Sequence, residues 1–226
     1  MSRALGYKAL VSLAAFIPDL PVLAAFVLAS VVLGLTPGPD MTYFLSKTIA
    51  QSRAAGFAAF GGATAGIFIH SVLVAAGLSA LLAASALAFT VLKFVGAAYL
   101  AWLAIDAIRH GSSLSLDKGA SRREPLRAVF LKGLLVNLLN PKVIVFFVTF
   151  LPQFVSASDP HAPGKMLFLG LVFMLVNVPV CGGIILAGSH IADLLKRSSR
   201  AARVVDWLFA SVLGAFAVKL LLTHSK

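Results

Sequence analysis

The sequence is poor in charged residues and contains long stretches that have none. Charged side chains make up 12% of the 226 residues, and hydrophobic residues make up 60%. Soluble domains carry roughly 25% charged residues. A core of this size cannot hide so much apolar surface, which excludes a soluble globular protein. The uncharged runs cover residues 20–39, 54–92, 94–105, 143–158, 166–192 and 207–218.

The chain also lacks the residues that several chemistries require. Its single cysteine, Cys181, excludes dithiol–disulfide exchange within one chain. A single glutamate and five scattered histidines disfavour a metal site. No His-Glu-x-x-His motif and no convergent nucleophile–base set is visible in the sequence. We therefore expect no enzyme activity, no cofactor and no bound metal, with an intramembrane enzyme kept as the alternative of a different class.

The uncharged runs are long enough to cross a membrane, because about 20 mostly apolar residues span a hydrocarbon core of about 30 Å. Mean hydropathy is correspondingly high, at +0.97. The sequence predicts an all-α polytopic membrane protein. Its six transmembrane helices are expected at residues 20–39, 56–80, 87–108, 128–151, 166–188 and 204–222.

The net charge of +11 is explained mainly by orientation in the membrane. Twelve lysines and arginines lie in the loops after spans 1, 3 and 5, four lie on the opposite side, and three lie within or beside spans. Both termini are therefore predicted on the non-cytoplasmic side. The basic loop 109–132 could also bind acidic lipid headgroups. Nucleic-acid binding is set aside, because no folded basic domain or aromatic platform is present.

Two of the predicted spans are interrupted by proline at membrane depth. Proline removes a backbone donor and clashes with the preceding turn, so the helix opens there. Opened backbone is tolerated in a bilayer only where protein or a water-filled cavity covers it. A purely structural kink is the alternative, since proline is common in spanning helices. The residues around the two breaks are Thr36, Pro37, Gly38, Pro39 and Asp40 in span 1, and Asn137, Asn140, Pro141 and Lys142 in span 4.

The breaks occupy the first span of each half of the chain. Three spans is an odd number, so two such halves would insert as inverted repeats. The predicted organisation is an N-terminal tail at 1–19, a first repeat at 20–110, a basic cytoplasmic linker at 111–126 and a second repeat at 127–226. Paired proline-interrupted spans in matching positions indicate a transport site.

Several polar residues inside the spans are candidates for that site. Asp40 could accept a proton or bind a substrate ammonium, although counting along span 1 places it nearer the cytoplasmic boundary than the midplane. Lys142 could bind a substrate carboxylate or pair with Asp40. His70 could relay protons or simply pack against a neighbouring helix. Gly62 and Gly66 form a small-xxx-small pair that predicts close packing against another helix.

Three segments of the sequence together resemble one family. They are LTPGPDMTYFLSKTIAQSRAAGF, LLVNLLNPKVIVFFVTFLPQFV and, from Phe89 to Arg109, FTVLKFVGAAYLAWLAIDAIR. The chain resembles the LysE/RhtB-type amino-acid exporters of the lysine-exporter superfamily over residues 20–223, and residues 1–18 look like an extension upstream of the usual start. The resemblance implies a bacterial inner-membrane exporter of amino acids or close derivatives that is driven by the proton gradient.

The sequence thus predicts a secondary transporter that works by alternating access between the two repeats. Its partners would be a small-molecule substrate and membrane lipid. The sequence is compatible with either a monomer or a homo-oligomer. An exporter of another small solute or ion on the same fold is the alternative. The residues expected to bind substrate or couple transport are Thr36, Pro37, Gly38, Pro39, Asp40, His70, Asn137, Asn140, Pro141 and Lys142, with Asn177 as a secondary candidate.

Overall fold

The computed structural model describes residues 15–36, 38–78, 123–156 and 159–188, with scattered positions between 90 and 109 and between 203 and 222. These parts of the chain are helical and contain no strand. The helices are α1 (Leu20–Leu35), α2 (Pro39–Ala50), α3 (Arg53–Leu73), α4 (Leu126–Leu138), α5 (Pro141–Val145) and α6 (Ala162–Leu186). A π-helical turn, Val74–Leu78, follows α3, and a π-helical turn, Phe146–Phe150, and a 3-10 turn, Leu151–Phe154, follow α5.

Four of the six predicted spans lie within the described residues. Arg53–Gly77 and Ala162–Leu186, each 25 residues long, are apolar enough to cross a membrane as single helices. The other two are bent pairs: α1 with α2 at 52°, and α4 with Pro141–Phe154 at 51°. The predicted breaks in spans 1 and 4 are confirmed. Spans 3 and 6 fall mostly outside the described residues, but their described positions are helical.

The predicted end of span 1 at residue 39 was too early. The helix restarts at Pro39 and continues to Ala50, because a proline at the first helical position already has the backbone angle that a helix needs. Asp40 therefore lies at the bend of a longer span, with α1 on one side and α2 on the other. The depth of Asp40 in the membrane stays a prediction.

Close packing of α3 against α4 connects the two halves of the chain. A Cβ placed on Gly62 would collide with the backbone carbonyl of Phe130, and one on Gly133 would collide with that of Ala59. Only glycine fits at such contacts, which allow two helix backbones to approach closely. The predicted tight packing of the Gly62 and Gly66 face is confirmed, and the partner helix is α4.

The buried apolar side chains form two clusters. The first, here called the aromatic cluster, lies towards the end of the bundle where α1 and α6 begin. The second, the Met41 cluster, lies towards the end where α2 and α6 finish. The aromatic cluster is built around Phe26, Phe146, Phe147, Phe150 and Phe173. The Met41 cluster contains Met41, Phe44, Leu45, Ala59, Phe60, Val129, Cys181 and Ile185. Each broken span contributes side chains to both clusters, so the two breaks lie between the clusters.

Candidate functional site

The two helix breaks contact each other directly. The Lys142 ammonium donates a hydrogen bond to the backbone carbonyl of Thr36, 3.0 Å away. Gly38 makes room for this side chain, since a Cβ on Gly38 would lie 3.0 Å from Lys142 Nζ. Lys142 is only 8% exposed. A buried lysine from the second break therefore binds the opened backbone of the first.

Asp40 is held from the second break as well. The Asn137 amide donates a hydrogen bond to Asp40 Oδ2 at 2.8 Å. The other oxygen, Asp40 Oδ1, is buried without a hydrogen-bond partner. Asn140 lies beside the same carboxylate, but its Nδ2 makes no hydrogen bond of ordinary geometry. One half of the Asp40 carboxylate is thus satisfied and the other half is not.

His70 approaches the same residues from α3. Its imidazole stacks on Phe147, with ring centroids 5.9 Å apart, and lies beside the backbone of Asn137. Gly66, one turn earlier, leaves the space that the Asn137 side chain occupies. One nitrogen of the ring, His70 Nε2, is buried and has no hydrogen-bond partner.

Partnerless buried atoms are concentrated at this one place. In the part of the chain that the structure describes, four buried side-chain nitrogen or oxygen atoms lack a hydrogen-bond partner. Leaving such an atom unsatisfied costs about 1–3 kcal/mol, and native proteins contain few of them. The cluster is therefore suited to bind a ligand, a water molecule or a proton. The four atoms are Asp40 Oδ1, His70 Nε2, Asn137 Oδ1 and Asn140 Nδ2.

A cavity of about 50 Å³ adjoins this cluster. Asp40 and Lys142 both line it, together with Thr36, Asn177 and Cys181, and the rest of its wall is mostly apolar. A buried water needs about 10–15 Å³ of such space, so the cavity has room for a few water molecules. It is too small for a whole amino acid.

The structure brings most of the predicted site residues together. Thr36, Asp40, Asn137, Asn140, Lys142 and His70 are neighbours, as described above. Pro39 and Pro141 begin α2 and α5, whereas Pro37 lies outside the described residues. Asp40 and Lys142 form no direct ion pair. Each is instead bound by a neutral amide or carbonyl group. No group of three metal-ligating residues occurs in the described residues.

One polar contact was not predicted from the sequence. Glu124, the residue before Pro125, forms salt bridges with Lys47 of α2 at 2.7 Å and with Lys132 of α4 at 2.8 Å. Gln51 exchanges two hydrogen bonds with the backbone of Glu124. Hydrogen bonds from Lys132 and Lys47 lower the pKa of Glu124 to about 2. We call Lys47, Gln51, Glu124 and Lys132 the Glu124 latch, because they join the end of the first bent pair to the start of the second. The only sequence signal was a lone glutamate among basic residues.

Comparison with known proteins shows the family to which the chain belongs. The family model described as LysE type translocator matches residues 31–224, which is most of the chain. The chain belongs to the LysE family. This LysE-family translocator is an all-α membrane protein, and the resemblance proposed from its sequence motifs is confirmed.

Three similar proteins are 26–35% identical to this translocator over most of its length. A homoserine/homoserine lactone efflux protein of Salmonella typhimurium is 35% identical over 76% of this chain and 82% of its own. An uncharacterized membrane protein of Vibrio cholerae is 34% identical over 86% of this chain and 93% of its own. A leucine efflux protein of Salmonella choleraesuis is 26% identical over 86% and 92%. No solved structure matches the chain.

Proposed function

We propose that this translocator exports amino acids or close derivatives from the cytoplasm in exchange for protons. The observation that carries the proposal is the cluster of four partnerless polar atoms around Asp40, next to a cavity between two broken helices. Ionisable residues inside a membrane are costly and are kept for function. Relatives whose names state homoserine or leucine efflux support an amino-acid substrate.

The two charged residues of the cavity divide the recognition of a zwitterion between them. Asp40 has a free carboxylate oxygen that can bind a substrate ammonium or take up a proton. Lys142 can bind the substrate carboxylate after exchanging its hydrogen bond to the Thr36 carbonyl for the new one. Protonation of Asp40 would weaken its hold on the ammonium, so proton entry and substrate release are coupled at one side chain.

Alternating access is supported by the two ends of the cavity, which are closed by different sets of side chains. The aromatic cluster covers one end. The Met41 cluster, with the Glu124 latch beyond it, covers the other. In the proposed cycle each closure opens in turn while the other stays shut. The excess of lysine and arginine supports a cytoplasmic position for the latch in the bacterial inner membrane, with both termini outside.

Transport by purified protein in proteoliposomes tests the proposal. With an acidic interior and a neutral exterior, proton efflux should drive uptake of a labelled amino acid, and a protonophore should abolish it. We expect Asp40→Asn to reduce gradient-driven uptake at least about tenfold, equivalent to about 1.4 kcal/mol. Gly183→Ala is the matched control, since a Cβ there meets no atom within 4 Å. Wild-type uptake rates in Asp40→Asn would refute coupling through this carboxylate.

A further inference from the structure

One wall of the cavity is formed by a single stripe on α6. Phe173, Asn177 and Cys181 are four residues apart and all line the cavity, as residues on one helix face do. Asp40 and Lys142 belong to the opposing broken helices. If those two charges bind the ammonium and carboxylate of an amino acid, as the proposed function requires, the stripe is a surface that the substrate side chain can contact.

Asn177 supplies the amide group of that stripe, and its oxygen accepts only a weak hydrogen bond. The nitrogen donates to the Phe173 carbonyl at 2.8 Å. The oxygen, Oδ1, has only the Cys181 thiol as a donor, 4.0 Å away, and a thiol is a weak donor. The residue is 3% exposed, so water from outside does not satisfy the oxygen. Asn177 thus lines the cavity with a buried amide whose oxygen, packed beside Gly34, has spare acceptor capacity.

Helix α1, which faces the stripe, has a glycine where the Asn177 oxygen approaches it. A Cβ on Gly34 of α1 would collide with Asn177 Oδ1, so glycine leaves the room that the amide fills. Thr36, another uncharged polar residue of the lining, directs its hydroxyl proton to the Val32 carbonyl at 2.7 Å. The rest of the wall near Asn177 is apolar, with Leu33 and Phe173. The best acceptor away from the two charges is therefore Asn177 Oδ1.

We infer that Asn177 is a specificity-determining residue whose Oδ1 accepts a hydrogen bond from a hydroxyl group on the side chain of the transported amino acid. A substrate with a methyl group in place of the hydroxyl leaves the buried oxygen unpaired, and sites built to bind a hydroxyl discriminate against such analogues.

Threonine and valine test the inference, because they differ by a hydroxyl in place of a methyl group. Gradient-driven uptake of each is measured in proteoliposomes containing wild type, Asn177→Leu or Gly183→Ala. We expect wild type and the Gly183→Ala control to prefer threonine by about tenfold in kcat/KM. In Asn177→Leu the preference should fall below about twofold, with valine uptake kept. Asn177→Ala, which cannot clash with Gly34, gives the same readout if the leucine variant fails to fold.

The possible outcomes separate this inference from the proposed function. Equal wild-type uptake of threonine and valine, or a threonine preference that survives in both Asn177 variants, overturns the role of Asn177 and leaves amino-acid export standing. Uptake confined to other amino acids also overturns it. If neither the twenty amino acids nor homoserine and its lactone are taken up in exchange for protons, the proposed function fails and the inference fails with it.

Discussion

The two helix breaks resemble each other in sequence but differ in chemistry. Each has a proline followed directly by a charged residue. At the second break, Asn140 caps the new helix by accepting a hydrogen bond from the Lys142 amide. At the first, Gly38 has no side chain with which to cap α2. The second break thus supplies part of its own hydrogen bonding, and the first depends on residues from elsewhere.

Helix dipoles explain why the two charges behave differently. Asp40 lies in the first turn of α2, where a negative charge is favourable. Lys142 lies in the first turn of α5, where a positive charge is unfavourable. Its ammonium reaches instead to Thr36, at the carbonyl end of α1, which is the negative end of that helix. The lysine is therefore bound by backbone, whereas one oxygen of the Asp40 carboxylate has no hydrogen-bond partner.

Of the substitutions at the two breaks, removal of the Lys142 charge should reduce transport most. Lys142→Met leaves the Thr36 carbonyl buried without its donor and removes the proposed partner of the substrate carboxylate. Truncating one member of a buried charge-assisted contact costs about 2–5 kcal/mol. We expect KM to rise by about 100-fold, measured as concentration-dependent uptake in proteoliposomes. Lys142→Arg serves as the charge-conserving comparison. An unchanged KM in Lys142→Met would show that Lys142 is purely structural.

Displacing the Asn137 side chain by a substitution at Gly66 should reduce transport less than Lys142→Met does. It should act only on the contact with Asp40 at the first break. A Cβ at Gly66 would lie 3.0 Å from Asn137 Cβ and would collide with its amide oxygen. Gly66→Ala should therefore displace the amide from Asp40 and lower uptake about tenfold, as expected for loss of about 1–2 kcal/mol of a charged hydrogen bond. Gly77→Ala, where the added Cβ meets no atom within 4 Å, is the control. Equal uptake by both variants would contradict the role assigned to Asn137.

Removing the cap at the second break should affect stability more than transport chemistry. In Asn140→Ala the Lys142 amide loses its side-chain acceptor. Loss of such a cap costs about 1 kcal/mol, which lowers Tm by about 2–4 °C in a chain of this size. Thermal unfolding in detergent measures the shift. A loss of uptake with unchanged Tm would instead assign Asn140 to the transport site.

Local sequence patterns predicted the breaks and the close helix contact, because both follow from a few adjacent residues. The prolines beside Gly38 and Asn140 open their helices, whereas Pro179 is accommodated inside the continuous helix α6. Gly62 with Gly66 defines a smooth helix face. The continuation of the helix from Pro39 to Ala50 was not predicted, because the same short proline segment that ends one helix also starts the next. The bonds of Lys142 to Thr36 and of Asn137 to Asp40 join residues 106 and 97 positions apart. No local pattern encodes which partner each charge selects across such distances.

The Glu124 latch joins the two bent pairs away from both breaks, so it should affect stability least. In the folded protein the pKa of Glu124 is about 2, against an ordinary value of 4.5. Because the folded pKa is the lower one, the latch stabilises the fold fully above about pH 4.5, and this contribution is lost as pH falls towards 2.

Glu124→Gln should therefore lower Tm by about 1–2 °C at neutral pH, since partly exposed ion pairs contribute at most about 1 kcal/mol. The Tm difference from wild type should stay constant from pH 8 to about pH 5 and shrink below that, as the wild-type latch is protonated. Lys165 pairs with Asp159 in a separate ion pair, so Lys165→Met controls for the general loss of a surface charge. A difference that instead changes between pH 6 and 8 would mean that a group other than Glu124 controls the connection between the bent pairs.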